Sequence, residues 1–332
     1  VTEPTPGRAG ASRVRSPLKL LPWVIAAACF AYLYWRLSLA AAREGTALVP
    51  YMTEVFQSVS WDRWLALMIP YSIFFLLVDS LVVWRVVSWF NARVAYLDIL
   101  PVRASTYILS ILNEQVGKGA IAIYLNRRDG VPGWQIGSSM LFIMVCEFYY
   151  LLTWATLGVA LQWDQLPDVF HALPFVAALA FPALGAAILY FRGRWLPNSS
   201  LRDRPILHAF RHATSRHYAG VLLLRSPALL AAVFVYSQAL ALFGVEVSML
   251  TMLGYLPVIF FGAAVPGPFR TVAIAMWVTL FPEKAGSMAT FGLVQHNFFI
   301  FFNAAIGLLF LRRANREIFG EGRHKLGDQP SA

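Results

Sequence analysis

Residues 262–277 read GAAVPGPFRTVAIAMW, and Arg270 among them is a fixed cation inside an apolar stretch. A guanidinium in such a place is suited to holding an oxyanion, a phosphate above all, through charge-assisted hydrogen bonds. Pro266 and Pro268 cannot continue an incoming helix, because they lack a backbone donor and clash with the preceding turn. Pro268 does suit the first position of a new helix, and with Gly267 and Thr271 it frames a break. The spacing therefore predicts a half-helix over 268–281 whose free N–H groups, beside Arg270, attract an anion. A second pairing of break and cation is VGKG, where Gly117 and Gly119 permit a turn and Lys118 supplies the charge. The alternative use of both cations is to snorkel to an interface or to neutralise a buried carboxylate.

Other polar residues fall within apolar runs. Glu147, in MVCEFYY, has no charged neighbour for a dozen residues on either side. A bare carboxylate there costs about 3 kcal/mol, so it must be protonated or paired, and Lys118 is its natural partner. Asp79, in LLVDSLVV, precedes Arg85 by six residues, which sets the two on different helix faces. Asp79 is thus a site residue or structural glue, and Glu114 is a similar case. Gln295 and His296, with Asn297 and Asn303, sit in FGLVQHNFFIFFNAAIGLL. Such groups bond across helices, with a proton-linked role for His296 as the functional alternative. His208 and His212 have metal-ligand spacing, but no carboxylate or cysteine completes a set, and no metal is expected. Cys29 and Cys146 lie in apolar runs and read as small core residues.

The elements that must carry these residues follow from composition. Of 332 residues, 58% are apolar and 13% charged, against roughly a quarter charged in a soluble domain. Apolar runs predict full spans at about 18–41, 64–90, 134–162, 169–191, 226–244 and 287–311. The segment 192–217 carries six arginines against Asp203 and is expected on the cytoplasmic side, as are both termini. Residues 1–17 are expected to be a disordered basic N-terminus, 18–41 a retained signal-anchor, and 312–332 a basic cytoplasmic tail. Within the linker 192–225, residues 203–219 read as an amphipathic surface helix with Asp203 as N-cap. Trp61, Trp64, Trp89, Trp134 and Trp163 fall where interfacial anchors belong.

The segments 99–125 and 249–281 each return to the side they enter from, judged by their flanks, with Arg93 and Arg103 counted as cytoplasmic. The expected fold is an all-α polytopic membrane protein: about six full transmembrane helices and two oppositely oriented re-entrant helical hairpins. Residues 64–162 and 226–311 then form an inverted repeat within a membrane domain spanning 18–311. The formal charge of +10 lies in short segments between apolar runs; it points to orientation and anionic lipid rather than nucleic acid. No phosphate-binding glycine loop of the ATPase type occurs, nor a serine-hydrolase or zinc-protease motif, so neither an enzyme nor a cofactor is expected.

With those residues in view, the chain resembles the integral membrane flippase domain of the lysylphosphatidylglycerol synthase/flippase (MprF-type) proteins. The resemblance rests on GKGAIAIYLNRRDGVP at 117–132, on Glu147 and on PGPFRT at 266–271, and covers about 20–311. Thr271 stands where that family usually has a glutamate, Phe148 and His296 where it often has arginines. The resemblance implies a stand-alone member that translocates lipid without synthesising it. Such a protein would move a phosphate-containing lipid, an aminoacyl-phospholipid or another phospholipid or glycolipid, between leaflets of the inner membrane. The head-group phosphate is expected on Arg270, Lys118 and the two half-helix N-termini, with Glu147, Asp79 or Glu114 facing a cationic group or carrying protons. Two other readings stay open: a secondary transporter of a small anion, and an accessory subunit for a lipid-synthesising enzyme. Self-association into a homo-oligomer is open as well.

Overall fold

The computed structural model describes residues 21–110, 114–196, 198–264 and 270–319. Twelve α-helices occur among them. They are α1 (Leu21–Arg43), α2 (Leu48–Gln57), α3 (Trp61–Phe90), α4 (Tyr96–Ser110), α5 (Glu114–Asp129) and α6 (Gly133–Leu161). Then follow α7 (Ala172–Phe191), α8 (His208–His212), α9 (Ser215–Ala241), α10 (Met249–Ala264), α11 (Thr271–Leu280) and α12 (Ala285–Phe319). Six stretches are long and apolar enough to cross a bilayer: Val24–Arg43, Trp61–Phe90, Gly133–Leu161, Asp168–Phe191, Ser215–Ala241 and Pro282–Ala314. That is the make-up of a multi-pass membrane protein. Prolines 70, 182 and 227 lie inside three of these helices, as membrane helices tolerate where neighbours satisfy the freed carbonyls.

The fifth of these helices starts at Ser215, earlier than the expected 226. The expected span leaves out Arg225, yet that arginine is helical and buried. The start is fixed locally, since the Thr214 backbone N–H donates to His217 Nδ1 at 2.9 Å.

The expected amphipathic helix over 203–219 does not form. Instead a single turn at Pro205–Leu207 leads into the five-residue α8, and the chain is extended at Ala213 and Thr214. Its apolar side packs into protein rather than lipid. Phe210 meets Phe142 and Phe191, and the Ala209 N–H donates to Ser138 Oγ at 2.8 Å. Trp64, expected at an interface, is buried edge-on against Phe298.

α5 runs through 117–119 as continuous helix, so the chain does not break at VGKG. Two glycines in a helix cost about 1 kcal/mol each, an amount tertiary packing can override. Residues 111–113, between α4 and α5, lie outside the described residues, as do Pro266, Gly267 and Pro268 between α10 and α11.

α3 packs on α9; α4 lies along α12, and α10 along α6. Glycines permit the last two contacts. A Cβ on Gly307 would lie 2.5 Å from the Ala104 carbonyl oxygen, and one on Gly158 would lie 2.5 Å from Gly254 Cα. Small residues at such crossings let helix backbones approach where no hydrophobic effect drives association.

The apolar core is in two parts. One holds Trp64, Met68 and Tyr71 of α3 with Tyr150 of α6 and Leu229 of α9. The other holds Val82 and Val86 of α3 with Cys146 of α6 and Val221 of α9. On each of the three helices a charged residue falls between the parts: Asp79, Glu147 and Arg225.

Candidate functional site

Those three charges meet. Arg225 Nη2 lies 3.1 Å from Asp79 Oδ1 and 2.7 Å from Glu147 Oε1. Asp79 Oδ2 accepts from Arg103 Nε of α4 at 2.5 Å and from Tyr107 Oη at 2.8 Å. Arg103 Nη1 also donates to Thr106 Oγ1. Asp79 and Arg103 are each 3% exposed at the side chain, whereas Glu147 is 25% exposed and closes the network at its open end. Arg225 lies ten residues into α9, about 15 Å along its axis at 1.5 Å per residue. Two cations and two carboxylates thus form a neutral layer deep in the helices. Each partner offsets the desolvation of the others.

This layer corrects one expectation. Arg103, counted as a flanking charge, is a buried member of the network. Glu147 pairs with Arg225 of α9; the side chains of Lys118, its expected partner, and of Glu114 lie outside the described residues. Asp79 does avoid Arg85, which is exposed and stacks near Trp84 and Trp89.

A second polar group gathers around Arg270. Arg270 precedes α11 as its N-cap, in the left-handed backbone conformation at φ 49°. Few residues other than glycine, asparagine and aspartate adopt this conformation, and it stores local strain. The guanidinium is half-buried, sits 5.9 Å from the Phe299 ring, and forms no ion pair among the described residues. It is close enough to act electrostatically on His296, Tyr71 and Tyr236. Along α12, Gln295, His296, Phe299 and Asn303 recur at helical spacing and so share a face.

That face is short of partners. Gln295 Nε2 donates to Tyr236 Oη at 2.8 Å, the cross-helix bond expected of it, but its Oε1 has no partner. Thr271 Oγ1, His296 Nε2 and both amide atoms of Asn303 are buried without a protein partner. Asn297 bonds back to its own helix at Leu293. Buried polar atoms are nearly always satisfied, so these orphans, with an Arg270 that has no ion pair among the described residues, make a candidate site for a polar ligand.

An apolar cleft of about 180 Å³ opens between α6, α7 and α9, lined by Cys146, Tyr149, Phe181, Leu184, Tyr218 and Leu222 among others. A small polar cleft lies by Arg36, Arg43 and Tyr51. Arg270 lines neither.

Arg103, Arg225, Tyr107, Tyr71 and Tyr236 were missed in the sequence. Charge balance was the available signal: two carboxylates at depth require cations at depth. No protein-family model, curated protein or solved structure matches the chain. The functional reading therefore rests on the chemistry of these side chains.

Proposed function

We propose that the protein is a lipid flippase that moves a phosphate-containing lipid between the leaflets of the inner membrane. The observation that carries this is Arg270: a half-buried guanidinium with no ion pair among the described residues, at a helix N-terminus, near buried polar atoms that lack partners. Helix N-terminus and guanidinium together favour a phosphate at that point. The apolar exterior leaves acyl chains in the bilayer while the head group passes through protein.

The fold is read in the same sense. α3–α6 and α9–α12 share one order: long helix, two short helices, long helix. They also exchange contacts, α4 with α12 and α10 with α6, as an inverted repeat requires. α11 has ten residues, about 15 Å, half the thickness of the hydrocarbon core. It suits a re-entrant hairpin with α10 better than a crossing; α4 and α5 make the matching pair. Basic flanks then place both termini and 192–217 in the cytoplasm. The resemblance to the lysylphosphatidylglycerol flippase domain points the same way.

The test uses purified protein in vesicles with acyl-labelled phosphatidylglycerol. Arg270→Ala is expected to reduce inter-leaflet movement to the protein-free rate, with the melting temperature within a few degrees of the parent. Movement at the parental rate in that variant would remove Arg270 from the site. Uptake of free phosphate with no lipid movement would favour the anion-transporter reading instead.

A further inference from the structure

The charged residues of the ion-pair network and Arg270, with Glu114 and Lys118 of α5 added from the sequence, carry an odd total charge. They comprise the carboxylates Asp79, Glu114 and Glu147 against the cations Arg103, Lys118, Arg225 and Arg270. The described ion pairs among Asp79, Arg103, Arg225 and Glu147 join two carboxylates to two cations, with no net charge. Glu114 and Lys118, four residues apart on α5, are of opposite sign and add nothing to the total. One positive charge is left over, that of Arg270.

The side chains about Arg270 add no charge of their own. Thr271, His296, Gln295 and Asn303 are neutral donors and acceptors, each 2% exposed or less. Thr271 Oγ1, His296 Nε2, Gln295 Oε1 and the Asn303 amide all lack a protein partner. A phosphodiester carries one negative charge and cancels Arg270. Adding an ammonium to the same head group restores the surplus, with no described carboxylate left to receive it, and an uncompensated buried charge is strongly disfavoured. Hydroxyl groups carry no charge and both donate and accept, which matches the mixed set of orphan atoms.

We infer that the head group taken at Arg270 has one net negative charge and is hydroxylated: a phosphodiester lipid with a polyol head group, not an amine-bearing one. This rests on the flippase reading and narrows it. In particular, it departs from the aminoacyl-phospholipid that the family resemblance had suggested.

The test compares three acyl-labelled probes in one host lipid with the purified full chain: phosphatidylglycerol, phosphatidylethanolamine and lysyl-phosphatidylglycerol. Phosphatidylglycerol is expected to cross at least about tenfold faster than phosphatidylethanolamine, with the lysyl lipid slowest. Thr271→Asp sets a carboxylate beside Arg270 in the first turn of α11, where the helix dipole favours it. It is expected to narrow that gap by raising the phosphatidylethanolamine rate. Should this variant not fold, the parental three-lipid comparison decides alone. Equal rates for the amine-bearing lipids and phosphatidylglycerol, with Arg270→Ala still inactive, would overturn this inference and leave the flippase reading intact. No probe moving faster than in protein-free vesicles would overturn both.

Discussion

At Asp79 one carboxylate accepts from Arg103 and Tyr107 on one face of α4 and from Arg225 of α9. Removing a single member of such a network strands the remaining charges out of water. Arg225→Leu is therefore expected to destabilise the protein by about 3 kcal/mol, read as a lowered melting temperature in detergent. Deleting Glu147 as well, in Arg225→Leu with Glu147→Leu, removes a neutral pair and leaves Asp79 with Arg103. The double variant is expected to recover more than half of the loss; no recovery would mean that Glu147 answers to another cation. The acids were legible in the sequence because a carboxylate within an apolar run demands a partner. Their arginines were not, because Arg103 and Arg225 lie near arginine-rich segments. Rules that end a span at its first charge assign such residues to water. Only a partner from another helix reveals them, and a single sequence does not display that pairing.

At the scale of elements, apolar periodicity located all six long helices, since run length measured against bilayer thickness needs no tertiary information. Where packing decides, the sequence misled. Gly117 and Gly119 read as a break yet are helical, and 203–219 read as one surface helix yet divides into a single turn, the short α8 and the start of α9. Close helix contacts are also invisible until the partner is known. Gly307→Val places a branched side chain against the Ala104 carbonyl and is expected to cost about 2 kcal/mol, as overpacking does. A melting temperature equal to the parent's would show that α12 need not sit so close to α4. The docked α8 carries a titratable group. Burial, then the neighbouring His212, holds the His208 imidazole below its ordinary value of 6.5. Because its folded value is depressed, the neutral form favours docking. That contribution is full above about pH 6.5 and is lost as pH falls below it, when the undocked state binds the proton first. Amide exchange at 205–213 is thus expected to be slower at pH 7.5 than at pH 5.5, and His208→Gln to flatten the difference. The same exchange at both pH values in the parent would exclude this role.

Over the whole molecule, a layer of paired charges separates two apolar cores, and Arg270, with no ion pair among the described residues, lies beyond it beside the core of Tyr71 and Tyr236. Asp79 and Tyr71 are eight residues apart on α3, about 12 Å. Tyr71 stands with Tyr236 and Phe299 in the aromatic group beside Arg270. The layer fixes α3, α4, α6 and α9 together, while Arg270 stays uncommitted on the short α11. The central claim is that this cation lies within the membrane, reachable in turn from each side and covered by a lipid phosphate. Accessibility at the adjoining position measures that directly. Cys29 and Cys146 are the free thiols to be replaced, and Thr271→Cys then places one reporter beside an intact Arg270. The thiol is expected to react with a membrane-impermeant reagent applied from either face. Phosphatidylglycerol vesicles should slow that reaction at least about tenfold relative to phosphatidylcholine, a modest preference of about 1.4 kcal/mol. Reaction from one face only, at a rate the lipid does not change, would make Arg270 an interfacial anchor and contradict the account.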